Sequence, residues 1–105
     1  MEFGLENETI TAMHQVFAQY PQLEEVVLYG SRAKGNYKRG SDIDISLKGN
    51  ALTFTDLLQI EGELDDLLLP YKIDISLYKH IKDTAVLAHI DNIGKPFFAQ
   101  KSQKQ

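Results

Sequence analysis

The sequence contains no cysteine, so this chain can form neither a disulfide bond nor a thiolate metal site. It does not open with a basic stretch followed by an apolar one, and we therefore expect no secretory signal. Its longest apolar runs are far too short to cross a bilayer. These absences favour a soluble, cytoplasmic protein that has no membrane partner.

A surplus of basic residues is also missing, because the formal net charge is −4. This balance argues against a non-specific nucleic-acid binder, and we expect no direct binding to nucleic acid. Four cations nevertheless crowd one short segment: Arg32, Lys34, Lys38 and Arg39. Such a local patch on an acidic protein suits a small anionic ligand better than a long polyanion.

The length of 105 residues predicts one small domain. Hydrophobic periodicity predicts helices over 7–20, 53–69 and 83–93, and strands over 24–29, 42–48 and 72–78. A helical turn over 31–34 and a short edge strand or extended segment over 95–98 complete the pattern. The predicted domain covers residues 1–98, and residues 99–105 are expected to form a flexible tail.

Each of the three predicted helices is preceded by polar residues that can cap its N-terminus. The expected N-caps are Asn7 or Thr9, Thr53 or Thr55, and Asp83. Pro21 and Pro70 are expected to end the first two helices, because a residue that precedes proline avoids the helical region.

Two aspartates one residue apart are the first sign of chemistry. Asp42 and Asp44 share one face of a strand, with Cα atoms about 6.5–7 Å apart, so they can bracket a divalent cation. Magnesium prefers such hard oxygen ligands. Asp74 adds a third carboxylate, and three acids can hold two metal ions. A bare Asp-x-Asp is more often a solvated polar face, but the cationic loop and Asp74 reverse that preference.

The third acid lies in a repeated pentapeptide. Ile-Asp-Ile-Ser-Leu occupies residues 43–47 and again residues 73–77. Similar half-buried strands can converge on one pattern by coincidence, and we do not interpret this as a structural repeat. If the two strands are neighbours in one sheet, Asp44 and Asp74 point to the same face.

The Gly30-Ser31 pair ends a predicted strand and opens a helical turn. Backbone N–H groups at that point, with the Ser31 hydroxyl, can hold a phosphate. A simple turn is the alternative, and for an isolated Gly-Ser it is the better one. A P-loop is excluded, because Asn36-Tyr37 replaces the required Lys-[Ser/Thr].

The remaining candidates are weaker. The histidines show no metal-ligand spacing, and we predict that they lie on the surface or on helix faces. They are His14, His80 and His89. Tyr29 or Tyr37 can stack on a base, although each is more often a packing residue. Phe97 and Phe98 fit either the core or a partner surface.

Gly30-Ser31, ten further residues and Asp42-Ile43-Asp44 together resemble the signature of the polymerase-β-like nucleotidyltransferase superfamily. The fuller string, Gly-Ser-Arg-Ala-Lys-Gly followed by Ser-Asp-Ile-Asp-Ile, is similar to the minimal nucleotidyltransferase (MNT) group. Lys34 departs from the arginine commoner in that group; it keeps the charge but loses bidentate geometry. The resemblance implies an α/β (α+β) fold, with a small mixed sheet flanked by helices.

The resemblance also implies residue roles. Gly30 and Ser31, with Arg32 and Lys34, would bind the nucleotide. Asp42, Asp44 and Asp74 would be catalytic and would hold Mg²⁺, with two ions expected and ATP as the substrate. Asp74 would help to position the metal or take the proton from the acceptor hydroxyl.

Small proteins of this group resemble antitoxins whose partner is a helical HEPN ribonuclease toxin. The resemblance therefore implies a magnesium-dependent transfer of AMP from ATP to a tyrosine of that toxin. The sequence is compatible with a homo- or hetero-oligomer and does not decide between them. Larger relatives carry a further acceptor-binding domain, and we expect a partner to supply the acceptor here. One alternative is a binding module that neutralises its partner by complex formation alone. Another is nucleotidyl transfer to an antibiotic.

Overall fold

A computed structural model describes residues 1–100 of the chain. The helices are α1 (Asn7–Phe17), the single turn α2 (Ser31–Lys34), α3 (Phe54–Asp65) and α4 (Thr84–Ile93). The strands are β1 (Glu25–Tyr29), β2 (Ile43–Lys48), β3 (Ile73–Leu77) and β4 (Lys95–Ala99). A 3₁₀ turn at Tyr78–His80 follows β3. The predicted α/β (α+β) class is confirmed.

The four strands form one mixed sheet in the order β3-β2-β1-β4. β1 pairs antiparallel with both β2 and β4, whereas β2 and β3 run parallel. A parallel pair needs a long crossover, which α3 supplies. The two copies of Ile-Asp-Ile-Ser-Leu pair residue for residue, from Ile43 with Ile73 to Leu47 with Leu77. The repeated segments are therefore neighbours, and like residues lie side by side.

The main core lies on one face of the sheet, beneath α1 and α3. Its fully buried side chains include Met13, Phe17, Ile43, Ile45 and Ile60. Because side chains alternate along a strand, Asp44 and Ser46 point away from Ile43 and Ile45. The opposite face carries Val27 and is covered by α4, where Gly94 lies against Val27. The two layers thus place the apolar core on one side and the aspartates on the other.

The helix starts follow the predicted caps in two cases of three. Thr53 caps α3 in a capping box with Asp56, and Asp83 caps α4. The prediction of Asn7 or Thr9 for α1 was wrong, because Asn7 is already helical and Glu6 occupies the cap position without a side-chain bond.

Two helices end earlier than predicted. α1 stops at Phe17, and a turn closed by the Tyr20 N–H bond to the Phe17 carbonyl leads to Pro21. α3 stops at Asp65, because the chain turns through Leu68, which has a positive φ of 55°. Each proline sets the last residue at which a helix can end, and the turn begins before it.

The C-terminal boundary also needs correction. Ala99 belongs to β4, and the Gln100 side chain donates hydrogen bonds to the carbonyls of Tyr20 and Leu23. These two residues are therefore anchored and not part of a flexible tail. The rest of the predicted tail, residues 101–105, lies outside the described residues. Within residues 1–100, no helix combines the length and apolar character needed to cross a membrane.

Candidate active site

The three aspartates meet at one end of the β2–β3 pair. Asp44 and Asp74 are register partners in the parallel ladder, so their side chains leave the same face of the sheet. Asp42 lies just before β2 and is exposed, as is Asp74, while Asp44 is half-buried. The parallel pairing thus brings together carboxylates that are thirty positions apart in the sequence.

The proximity of these acids is evident in the electrostatics of Asp44. Burial raises the pKa of the Asp44 carboxyl above its usual value, and the charges of Asp74 and Asp42 raise it further. His89 and Lys72 act in the opposite direction. A group of like charges at this spacing is costly unless a cation neutralises it.

All three side chains offer the hard oxygen ligands that magnesium prefers, and their mutual repulsion is of the kind that a cation relieves. In the described part of the chain, however, no cluster of three or more acidic, histidine or cysteine side chains is already arranged to hold a metal ion. The donor set therefore fits a cation held by one or two carboxylates together with substrate phosphates. A site with Asp42, Asp44 and Asp74 as ligands stays a prediction.

Gly30 lies directly against this acidic cluster. It follows β1 with a φ of +75° and a ψ of −157°, a conformation that is essentially restricted to glycine. A Cβ at this position would overlap the Asp44 carboxylate. The absence of a side chain therefore lets the turn and Asp44 approach each other. Ser31 then opens α2, as its sequence predicts.

Arg32, which is predicted to bind the nucleotide, is engaged within its own loop. Its side chain is buried, with an exposed fraction of 2%. The guanidinium donates two hydrogen bonds to the Ser41 carbonyl, at 3.1 and 2.8 Å, and one to the Phe3 carbonyl at 2.9 Å. It also lies over the rings of Tyr37 and Tyr71. Since every guanidinium nitrogen donates to a backbone carbonyl, Arg32 fixes the loop that leads into Asp42, and its role in nucleotide binding stays a prediction.

The other cations of the loop remain free to act on a ligand. Lys34, Lys38 and Arg39 are exposed. A cavity of about 630 Å³ opens beside Lys38, Arg39 and Tyr37, and a second of about 600 Å³ opens beside His14 and Phe97. Neither cavity is lined by an aspartate of the cluster. The candidate site is therefore separate from these two cavities.

His89 is the site residue that sequence reasoning missed. Its Nε2 accepts a hydrogen bond from the Gly30 N–H at 3.0 Å, and its ring lies edge-on to Tyr29. Of the two predicted positions, surface or helix face, the structure shows the second, since His89 is half-buried on the face of α4 that packs on the sheet. One signal was present: His89 follows Val86 by three residues and precedes Ile93 by four, so it completes the apolar face of α4.

The remaining aromatic candidates serve packing. Tyr37 contacts Gly4 and Arg32, and Tyr29 lies against His89. Phe97 is buried in the main core, and Phe98 packs against it. His14 binds the Phe97 carbonyl, with 2.7 Å between its Nε2 and that oxygen. Of the two predicted places for this pair, the structure shows the core for Phe97, with Phe98 packed against it.

Solved structures share this fold at low sequence identity. A chain of a toxin–antitoxin complex with AMP-PNP superposes with a TM-score of 0.68 at 21% identity, covering 92% of this chain and 76% of that one. The complex of a tri-AMPylated Shewanella oneidensis HEPN toxin with an MNT antitoxin gives 0.67 at 16% identity, with coverages of 91% and 74%. A Sulfolobus solfataricus nucleotidyltransferase candidate gives 0.52 at 21%, covering 91% of each chain.

Among curated proteins, none matches this sequence. The family model described as "Polymerase beta, Nucleotidyltransferase" matches residues 11–103, which is most of the chain and includes the Gly30 turn and all three aspartates. The structural neighbours agree with the fold of that family. The chain therefore belongs to the polymerase-β nucleotidyltransferase family and is similar in fold to MNT antitoxins found in complex with HEPN toxins.

Proposed function

We propose that this protein is an antitoxin that transfers AMP from ATP to a tyrosine hydroxyl of a HEPN-type toxin in the cytoplasm. The observation that carries the proposal is the packing of the Gly30 turn against Asp44, with Asp74 beside it in the ladder. A turn with free backbone N–H groups can bind phosphates, and a neighbouring carboxylate cluster can hold the cation that neutralises them, so their packing together suits a site that activates a nucleoside triphosphate. The proposed toxin partner is supported by the complexes of the structural neighbours.

In the proposed reaction, the tyrosine oxygen attacks the α-phosphorus of ATP. The bond from that phosphorus to the oxygen bridging the α- and β-phosphates breaks, and pyrophosphate leaves with the electron pair. Asp74, which is exposed, takes the proton of the tyrosine hydroxyl. The products are the AMP-tyrosine phosphodiester and pyrophosphate.

The chain's own residues bind and orient the triphosphate. The Ser31 hydroxyl and backbone, with the exposed Lys34, hold its phosphates beside the acids. Asp42, Asp44 and Asp74 would hold Mg²⁺, which when bound neutralises the charge of the triphosphate and of the leaving pyrophosphate. Positioning and electrostatic stabilisation are the main contributions expected in phosphoryl-type transfers.

The test is incubation of the protein with α-labelled ATP, magnesium and a HEPN-type protein encoded by an adjacent gene. We expect label on the partner and a loss of about 10³-fold or more in the Asp42→Asn/Asp44→Asn protein. Asp65→Asn/Asp66→Asn removes the same charge from an exposed site and is the matched control. Transfer that survives the first double substitution would refute the proposed role of the aspartates.

A second candidate function, neutralisation by binding alone, is favoured by exposed apolar side chains on α3. Phe54 and Leu58 are 58% and 49% exposed and lie one helical turn apart. Because α3 carries four acidic residues and neither lysine nor arginine, a partner that covers this face would be basic. If Phe54→Ser/Leu58→Ser abolishes protection from the toxin while Asp42→Asn/Asp44→Asn retains it, binding suffices.

A further inference from the structure

We propose that His89 is a positioning residue that sets the Gly30-Ser31 turn for nucleotide binding. The imidazole accepts the Gly30 N–H and so fixes the one residue that separates β1 from the phosphate-binding Ser31. This inference rests on the proposed function for its nucleotide, but the contact that carries it belongs to the chain alone.

Both backbone polar groups of Gly30, its N–H and its carbonyl, have hydrogen-bond partners. The last residue pair of the β1–β2 ladder is Tyr29 with Asp44, so the Gly30 N–H lies beyond that pairing. His89 Nε2 accepts it at 3.0 Å, and the Gly30 carbonyl accepts the Lys34 N–H at 3.0 Å. Within the described residues, these two bonds hold Gly30 in a backbone conformation that residues other than glycine rarely adopt.

The bond also selects one tautomer of the imidazole and determines which backbone donors are left for phosphate. Because Nε2 accepts a hydrogen bond, a neutral His89 carries its own proton on Nδ1. The Gly30 N–H is already occupied, so the phosphate donors begin at Ser31. Gly30 then contributes space beside Asp44, while His89 contributes the orientation of the turn.

His89 is well placed to hold such a turn. It precedes Ile90, which is 2% exposed, and its ring lies edge-on to Tyr29 with centroids 6.0 Å apart. The helix that carries it begins at the Asp83 cap and ends at Gly94, which lies against Val27 of β1. The two residues of this hydrogen bond, Gly30 and His89, are therefore both held beside β1.

Two amide variants separate positioning from general stability. In His89→Gln, the side-chain oxygen reaches about as far as Nε2 and can accept the Gly30 N–H. In His89→Asn, the oxygen stands near the position of Nδ1 and is too short to accept it. Both are uncharged amides in a half-buried helical position, so their effects on folding should be similar. His89→Ala is a second variant without an acceptor.

The experiment measures binding of the α,β-methylene analogue of ATP with magnesium by calorimetry, and hydrogen exchange of the Gly30 amide by NMR. We expect His89→Asn and His89→Ala to weaken binding about tenfold and to speed Gly30 exchange at least tenfold, the loss expected for one hydrogen bond. His89→Gln should restore both values to within about threefold of the wild type.

The outcomes distinguish this inference from the proposed function. If the wild-type chain binds no adenine nucleotide, the proposed function fails, while the exchange data still decide whether His89 holds the Gly30 turn. If Gly30 exchange and analogue binding are the same in the glutamine and asparagine variants, the positioning role is overturned. A weaker binding that tracks thermal stability across all three variants overturns it as well.

Discussion

At the scale of single residues, two glycines of this chain have opposite requirements. Gly30 has a φ of +75° and lies against Asp44, whereas Gly62 lies inside α3 with open space where a Cβ would stand. We expect Gly30→Ala to lower the free energy of unfolding by about 3 kcal/mol or more, from backbone strain and overlap. Gly62→Ala should raise it by about 0.5–1 kcal/mol, because alanine favours helix.

Urea unfolding of both variants checks this pair of expectations. The difference between the two variants is more informative than either change in the free energy of unfolding, because the same glycine-to-alanine substitution is made at both positions. If Gly30→Ala were as stable as the wild type, the close approach of the turn to Asp44 would not exist in solution.

Arg32 provides a second prediction, which tests its assignment to loop structure. Arg32→Met keeps the length of the side chain but leaves the Ser41 and Phe3 carbonyls without their donor. We expect a loss of about 2–4 kcal/mol in the free energy of unfolding. Lys34→Met, at an exposed position, should change it by less than about 0.5 kcal/mol.

Denaturant unfolding gives the stabilities, and binding of the ATP analogue gives the functional comparison. We expect Lys34→Met to reduce binding without a loss of stability. Arg32→Met should lose stability and retain more of its binding than Lys34→Met. An Arg32→Met protein of full stability and poor binding would restore the original prediction for Arg32.

Asp44 predicts a dependence of stability on pH. Burial and the neighbouring acids raise its folded pKa above the ordinary value of 3.8, so ionisation costs more in the folded than in the unfolded chain. Stability contributed by this group is therefore lost as the pH rises from 3.8 through the folded pKa. Asp44→Asn removes the penalty and should raise the Tm at neutral pH.

Thermal unfolding from below pH 3.8 to neutral pH, without divalent cations, checks the sign of this effect. The gap in Tm between Asp44→Asn and the wild type should close at the acidic end. Asp65→Asn, an exposed site, is the control and should show a smaller gap. A wild-type protein that is more stable than Asp44→Asn at neutral pH would contradict the prediction.

At the scale of elements, the start of α3 depends on one side chain. The Thr53 hydroxyl accepts the Asp56 N–H, and the Asp56 carboxylate accepts the Thr53 N–H. We expect Thr53→Ala to cost about 1 kcal/mol in the free energy of unfolding. Thr55→Ala, one residue inside the helix, should be neutral or slightly stabilising. Equal losses in the two variants by urea unfolding would show that the cap is not the cause.

The strands were predicted closely because the alternation of apolar and polar residues specifies them. The period of two leaves little freedom in where an Ile-Asp-Ile run can lie, and β2 and β3 begin only one residue later than predicted. Helix ends were less predictable, because α1 and α3 finish in turns that depend on tertiary packing.

The candidate site was predicted less completely than the elements. Spacing within the sequence brings Asp42 and Asp44 together, and the repeated pentapeptide indicates Asp74. Spacing does not reveal which polar side chain turns inward. The burial of Arg32 and the hydrogen bond that His89 accepts from the Gly30 N–H were therefore not predicted, because both depend on tertiary packing.

At the scale of the whole molecule, the sheet order predicts a gradient of local stability. β1 and β2 have strands on both sides, while β3 and β4 are edges. We expect the slowest amide exchange in Val26–Leu28 and Ile45–Leu47, at least about tenfold slower than in β3 or β4. Native-state hydrogen exchange measures it. Edge strands that exchange more slowly than the centre would contradict this strand order.

The in-register pairing of two identical pentapeptides has a consequence for aggregation. β3 is an edge strand, and its Ile-Asp-Ile-Ser-Leu sequence already accepts an identical parallel strand on its inner side. Strands of this composition can stack in register without limit, as in amyloid, unless a charge opposes the stack. A third copy at the open edge would add another carboxylate to the Asp44–Asp74 row, about 4.8 Å from the last. We therefore expect the charge of Asp74 to oppose the addition of an identical strand at this edge.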